Sequence, residues 1–126
     1  MAVRGDLSPG QQLAQAVHAA FQFSVEHPTL TEVWHRHSNY LVIVAAPDEA
    51  ALLGLANRAY GRGIVHTLVR EPDDDDRAQA IVLEPTDASR RLCSQYPLAL
   101  RCPKDCVCEH CDPLAFHYER KAAAVE

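Results

Sequence analysis

The sequence predicts an α/β domain with a largely parallel sheet. Three observations carry this reading. Strand-like and helix-like segments alternate along the chain, the first helix brings its own capping residues, and 48% of the 126 residues are hydrophobic against 23% charged. A chain of this length fits one domain and buries about two-thirds of its unfolded surface.

The first helix is expected over residues 8–26. Ser8 suits the N-cap, Pro9 the first helical position, and Gln11 completes an S-x-x-Q capping box. Leu13, Val17, Ala20, Phe21 and Val25 recur at helical spacing and are expected to form the buried face. Gln11, Gln15, His18 and Gln22 make a polar stripe on the opposite side, of amides and an imidazole where a solvent face usually carries Lys and Glu. Pro28 ends this helix, and the polar stretch after it, with His35 and His37, reads as a loop.

Tyr40 to Ala46 is a continuous apolar run suited to a strand buried on both faces. Pro47 and Asp48 open a second helix with Leu52, Leu53, Leu55, Ala56 and Ala59 inward, terminated by Gly61 and Gly63. Ile64 to Arg70 alternates as a strand, with His66 or Thr67 facing the core. Ala80 to Leu83 is a further short strand, and Thr86 or Asp87 caps a last helix through about Tyr96.

Charge is concentrated in one place. Residues 1–70 carry five acids and five bases, and residues 77–126 seven of each. The net charge of −5 therefore lies in Glu71 and Asp73 to Asp76, a loop expected to be solvated. No basic block announces nucleic acid, and no apolar run approaches the roughly 18 residues of a membrane span. The N-terminus has no hydrophobic signal core, so the chain reads as soluble and untargeted, with no membrane partner. Four of five cysteines cluster in Cys102–Cys111, which suits a reducing compartment, with the cytoplasm as the expected location.

Arg4-Gly5-Asp6-Leu7, Gly10, and Ala14-Gln15-x-x-His18-Ala19 on the first helix are followed by LVIVAAPDEAAL, HTLVREP and AIVLEP. Taken in order, these landmarks resemble the type 2 (archaeal and eukaryotic) peptidyl-tRNA hydrolase family. The RGDLS and HTL segments are similar to those of the branch called peptidyl-tRNA hydrolase domain-containing proteins. The resemblance covers roughly residues 3–100 and none of the Cys-rich tail. It implies a domain over residues 1–100 and a tail over 101–126. It also implies a three-layer α/β/α sandwich with a four-stranded mixed sheet, whose first strand falls within Met1–Arg4. The implied activity, in translation, is hydrolysis of the ester between a peptide and the terminal ribose of tRNA, so the partner is the acceptor end of peptidyl-tRNA. No cofactor is implied for catalysis.

Carried over by position, the resemblance places Gln11, Gln15, His18 and Glu71 in the catalytic cluster, with Gly10 and Gln79 toward the substrate. Three of these depart from the family pattern. The family's lysine, four residues before the helix glutamine, is Gln11. Its aspartate after the third strand is Glu71, and its threonine opening the last strand is Gln79.

Ester hydrolysis needs a base for water, a donor for the developing oxyanion and a proton for the leaving oxygen. Imidazole is the one group type on the polar stripe that exchanges protons near neutrality. Replacing a charged donor by a neutral amide forfeits about 1–3 kcal/mol, on the order of 10 to 100-fold in rate. Glu for Asp keeps the carboxylate but moves it by about one methylene, and a misplacement near 1 Å can cost ~10²-fold. Weak activity is the expectation. A catalytically silent RNA- or protein-binding module on the same fold is one alternative. A metal or redox adaptor acting through the tail is another.

The tail reads Cys102-x3-Cys106-x-Cys108-x2-Cys111. Four thiols suit one tetrahedral structural zinc, although zinc sites usually set a longer loop between two ligand pairs. A disulfide or redox role stays open. Cys93, apart from these, reads as a small buried apolar residue.

Overall fold

A computed structural model describes residues 1–101. The chain forms β1 (Ala2–Arg4), α1 (Pro9–Glu26), α2 (Pro28–His37), β2 (Val44–Ala46), α3 (Glu49–Gly61), β3 (His66–Glu71), β4 (Arg77–Leu83) and α4 (Asp87–Cys93). The four strands make one sheet in the order β2-β1-β4-β3. β1 therefore sits inside the sheet despite its three residues.

The sheet is mixed. β1 and β2 pair in parallel, while β4 pairs antiparallel with both β1 and β3. Parallel pairing is thus confined to one of three ladders. The reason is local: β3 and β4 are joined through the short 3-10 turn Pro72–Asp74 rather than through a crossover helix.

Helices cover both faces. On one face Ala2, Val44, Ala46 and Ile81 meet Leu52, Leu55, Ala56 and Ala59 of α3 and Leu92 of α4. On the other, Val3, Val69 and Ala80 meet Ala16 and Ala19 of α1. Ala2 and Val3 are neighbours in sequence and serve opposite cores, as the pleat requires. Asp48 caps α3 by accepting from the Ala51 N–H at 2.8 Å, and Gly63 follows it at φ +66°. That left-handed turn is why a glycine stands there. Thr86 caps α4, which ends at Cys93, short of Tyr96. Cys93 is half-buried against the α3 core, and burial pushes its thiol up.

Three expectations are corrected. First, α1 is rotated from the face its large apolar residues suggest. Gln12, Gln15, Ala16, Ala19 and Phe23 are buried, while Leu13, Val17, Phe21 and Val25 are 53–80% exposed. Small side chains explain this: Ala16 and Ala19 let the helix backbone approach β1, β3 and β4 closely, and a larger residue on that line would hold it off.

Second, the polar stretch after Pro28 is helical. Pro28 occupies the first turn of α2, Arg36 pairs with Glu32 one turn earlier at 2.7 Å, and His35, Arg36 and His37 place basic groups in the last turn. Asn39 closes it at φ +52°, with its side chain 3.3 Å from His35.

Third, only Val44–Ala46 of the Tyr40–Ala46 run is a strand, and Tyr40, Leu41 and Val42 are exposed. Ahead of β1 only Met1 continues the pairing, its ammonium donating to the Val42 carbonyl at 3.0 Å. On the outer edge of β2, Ala45 N–H donates to Pro97 and Ala99 N–H to Ile43, so residues 97–99 take the strand's other side.

Candidate functional site

The C-terminal ends of β1 and β3 and the start of β4 lie at one end of the sheet, because β4 runs against both neighbours. The first half of α1 lies over this end. The capping box is formed as the sequence requires: Gln11 N–H donates to Ser8 Oγ at 3.3 Å, and Ser8 N–H donates to Gln11 Oε1 at 3.1 Å. Gln11 is exposed, with its Nε2 unpartnered among the described residues. Gly10 beside it is also exposed, and a Cβ there would touch nothing within 4 Å.

Gln15 is the inward member of the polar stripe. Its Nε2 donates to Glu71 Oε2 at 3.2 Å, joining α1 to the end of β3. Its Oε1 is buried without a partner among the described residues. A carboxylate can only accept, so the amide is oriented with nitrogen toward Glu71 and oxygen inward. An unpaired buried carbonyl carries a desolvation penalty that a bound donor relieves. One turn further, His18 is exposed. A second bond clamps the far end of the same contact: Thr67 Oγ1, buried on β3, donates to Glu26 Oε2 at 2.6 Å. Thr67 therefore faces the core, and His66 is half-buried.

Gln79 is 2% exposed and sits at an irregularity. Val69 pairs with Ala80 and Arg70 with Ala78, so the ladder skips Gln79. Such a bulge re-aims a side chain. Here the Gln79 Nε2 donates to Asp74 Oδ2 at 2.8 Å and to the Arg77 carbonyl at 3.1 Å. Gln79 thereby tethers the acidic turn.

Asp74 is the residue the sequence reading missed. Besides Gln79 it accepts from Arg77, and it lies 3.6 Å from Nη1 of the buried Arg4. Arg4 in turn grips Asp6 with two bonds, at 3.0 and 2.8 Å. These partners set the protonation. The Arg4 guanidinium holds the Asp6 carboxyl below the usual carboxylate range, and bonds from Arg77 and Gln79 do the same for Asp74. Arg70 donates to the Asp76 carbonyl, so the turn is anchored on both sides. The acidic run is a structured turn rather than a purely solvated loop, and part of its charge is matched. The one sequence signal for this was Arg77, three residues after Asp74.

These residues descend from β1, α1, β3 and β4 onto one end of the sheet. The family described as peptidyl-tRNA hydrolase PTH2 matches over residues 1–89. The chain belongs to the PTH2 family. A search of curated proteins finds no match. At family level the assignment is to peptidyl-tRNA hydrolases of translation, with peptidyl-tRNA as the substrate class. The PTH2 match covers all of α1, β3 and β4, and hence every residue of the cluster just described.

No helix among the described residues is long and apolar enough to cross a membrane. Among the described residues there is also no group of three His, Cys, Asp or Glu able to hold a metal ion. Cys102, Cys106, Cys108 and Cys111 lie outside those residues, so the zinc reading rests on sequence alone.

Proposed function

We propose that this chain hydrolyses the peptide–ribose ester of peptidyl-tRNA slowly, at the end of the sheet where α1 meets β3. The observation that carries the proposal is the Gln15–Glu71 hydrogen bond, with the buried Gln15 Oε1 left open beside it. In this reading Glu71 takes a proton from the attacking water, and Gln15 holds that carboxylate in place. The free Gln11 amide faces the oxyanion as a neutral donor where the family's lysine would supply a charge, which is why the rate is low. His18 gives a proton to the ribose oxygen as the ester bond breaks. Gly10 leaves room for the acceptor end, and Gln79 acts at one remove by holding the Asp74 turn.

A second reading has an observation of its own. The Gln11 carbonyl is committed to the Ser8 cap, and among the described residues no hydrogen bond joins His18 to Glu71, which suits a silent module that binds RNA without cleaving it. Release of peptide from a peptidyl-tRNA at low salt separates the two. The hydrolase reading expects release above the buffer rate, lowered at least 10-fold in Glu71→Gln and in His18→Ala. Binding of tRNA with no release would establish the silent module. We also propose, from the sequence, that the four tail thiols take one zinc.

A further inference from the structure

The outer side of α1 carries a continuous apolar line: Leu13, Val17, Phe21 and Val25 are 56, 53, 70 and 80% exposed. They repeat every four residues, in steps of about 6 Å, over about 18 Å of helix. A contiguous exposed line of this kind marks a docking surface. At its Leu13 end it meets a cavity of about 80 Å³ walled by Val3, Gln12, Leu13, Ala16, Ile43 and Leu100. The cavity has the size of one aliphatic side chain or about two waters. Gln12 is 7% exposed, its Nε2 is spent on the Leu7 carbonyl, and its Oε1 is buried with no partner among the described residues. The surface therefore offers an apolar line, a small apolar cavity and one orphan acceptor.

We propose that residues 113–126 of this chain dock along this line. The chain itself supplies the argument. Leu100 forms part of the cavity wall, and the sequence runs on for 25 residues past Arg101. With Cys102 to Cys111 gathered on one zinc as proposed above, the two residues from Cys111 to Pro113 still add up to about 7 Å, and the segment starts next to Leu100, which is itself in the cavity wall. Beyond them Leu114, Phe116 and Tyr118 alternate with less apolar residues. Alternate residues of an extended segment are about 6.6 Å apart, close to the 6 Å step of the α1 line. Leu114 at the cavity would set Phe116 and Tyr118 along Val17 and Phe21, and bring Arg120 and Lys121 to the end of α1, where Glu26 stands. A segment tethered this closely acts at millimolar effective concentration, which a second copy must exceed. An N–H of the docked segment satisfies Gln12 Oε1.

The test places a benzophenone amino acid at the half-exposed Val17 of the full chain and mixes isotopically light and heavy protein before irradiation. The expected result is cross-links within one chain, from position 17 to residues 113–126. Their yield should fall at least 10-fold when Leu114, Phe116 and Tyr118 are all replaced by Ser. The α1–sheet core described above is built without these three, so unchanged circular dichroism of that variant controls for folding. Cross-links joining light to heavy chains would assign the line to a second copy and overturn the proposal. So would cross-links avoiding residues 113–126, or a yield indifferent to the triple Ser variant.

Discussion

Gln15 and Glu71, 56 residues apart, meet at 3.2 Å where the first half of α1 crosses the end of β3. The bond ties the position of a carboxylate to the rotation of a helix. That rotation is set by Ala16 and Ala19, which are buried next to Gln15. Packing on the sheet and geometry at the site are thus one constraint.

Gln15→Ala should lower peptide release about 10 to 100-fold, the cost of losing a hydrogen bond to a charged group. Its stability should change by no more than about 1 kcal/mol, because the same substitution removes a buried carbonyl that had no partner. Urea denaturation alongside single-turnover kinetics checks both halves.

Ala19→Leu should destabilise the fold by about 1–3 kcal/mol, since the residue is fully buried between α1 and the sheet. Ala14→Leu, on the exposed side of the same helix, should stay within about 0.5 kcal/mol. Equal costs for the two would contradict the rotation of α1.

Acid should weaken the acidic turn. Asp6 and Asp74 are held below the ordinary carboxyl value of 3.8 by Arg4, Arg77 and Gln79. Groups depressed in the folded state stabilise it above the unfolded value, and that stabilisation is lost as pH falls through the folded value. The melting temperature should therefore fall as pH drops below about 5. Asp74→Asn should show a flatter fall, which melting curves at several pH values would reveal.

The tail should carry about one zinc per chain when the protein is purified without chelator. Metal analysis giving none, with four titratable thiols beyond Cys93, would leave Cys102, Cys106, Cys108 and Cys111 without a metal role.

Much of the fold was legible in the sequence because it is written in local signals. Ser8, Asp48 and Thr86 cap the helices they were expected to open, and Leu52, Leu55, Ala56 and Ala59 are buried as their spacing requires. What was illegible depended on neighbours. Hydrophobic periodicity placed Leu13, Val17 and Phe21 inward, but the sheet accepted the alanine line instead, and periodicity carries no information about how close two surfaces can come. The strand shrinks to Val44–Ala46 because its pairing is set by Ala2–Arg4, which is invisible from within residues 40–46. At the candidate site, the family landmarks named Gln15 and Glu71 as members of one cluster, and the two are hydrogen-bonded. The Arg4–Asp74–Gln79 linkage was not legible, because it needs the bulge at Gln79, set by pairing with β3.

The most direct measurement is peptide release from peptidyl-tRNA at low salt by wild type, Gln11→Lys and Glu71→Gln. If the missing charge at position 11 limits the rate, Gln11→Lys should release peptide about 10 to 100-fold faster. The same variant should bind tRNA with a steeper salt dependence, since one more phosphate contact becomes possible. Glu71→Gln should fall at least 10-fold below wild type. Release by wild type and Gln11→Lys that never exceeds the buffer rate would contradict the hydrolase account.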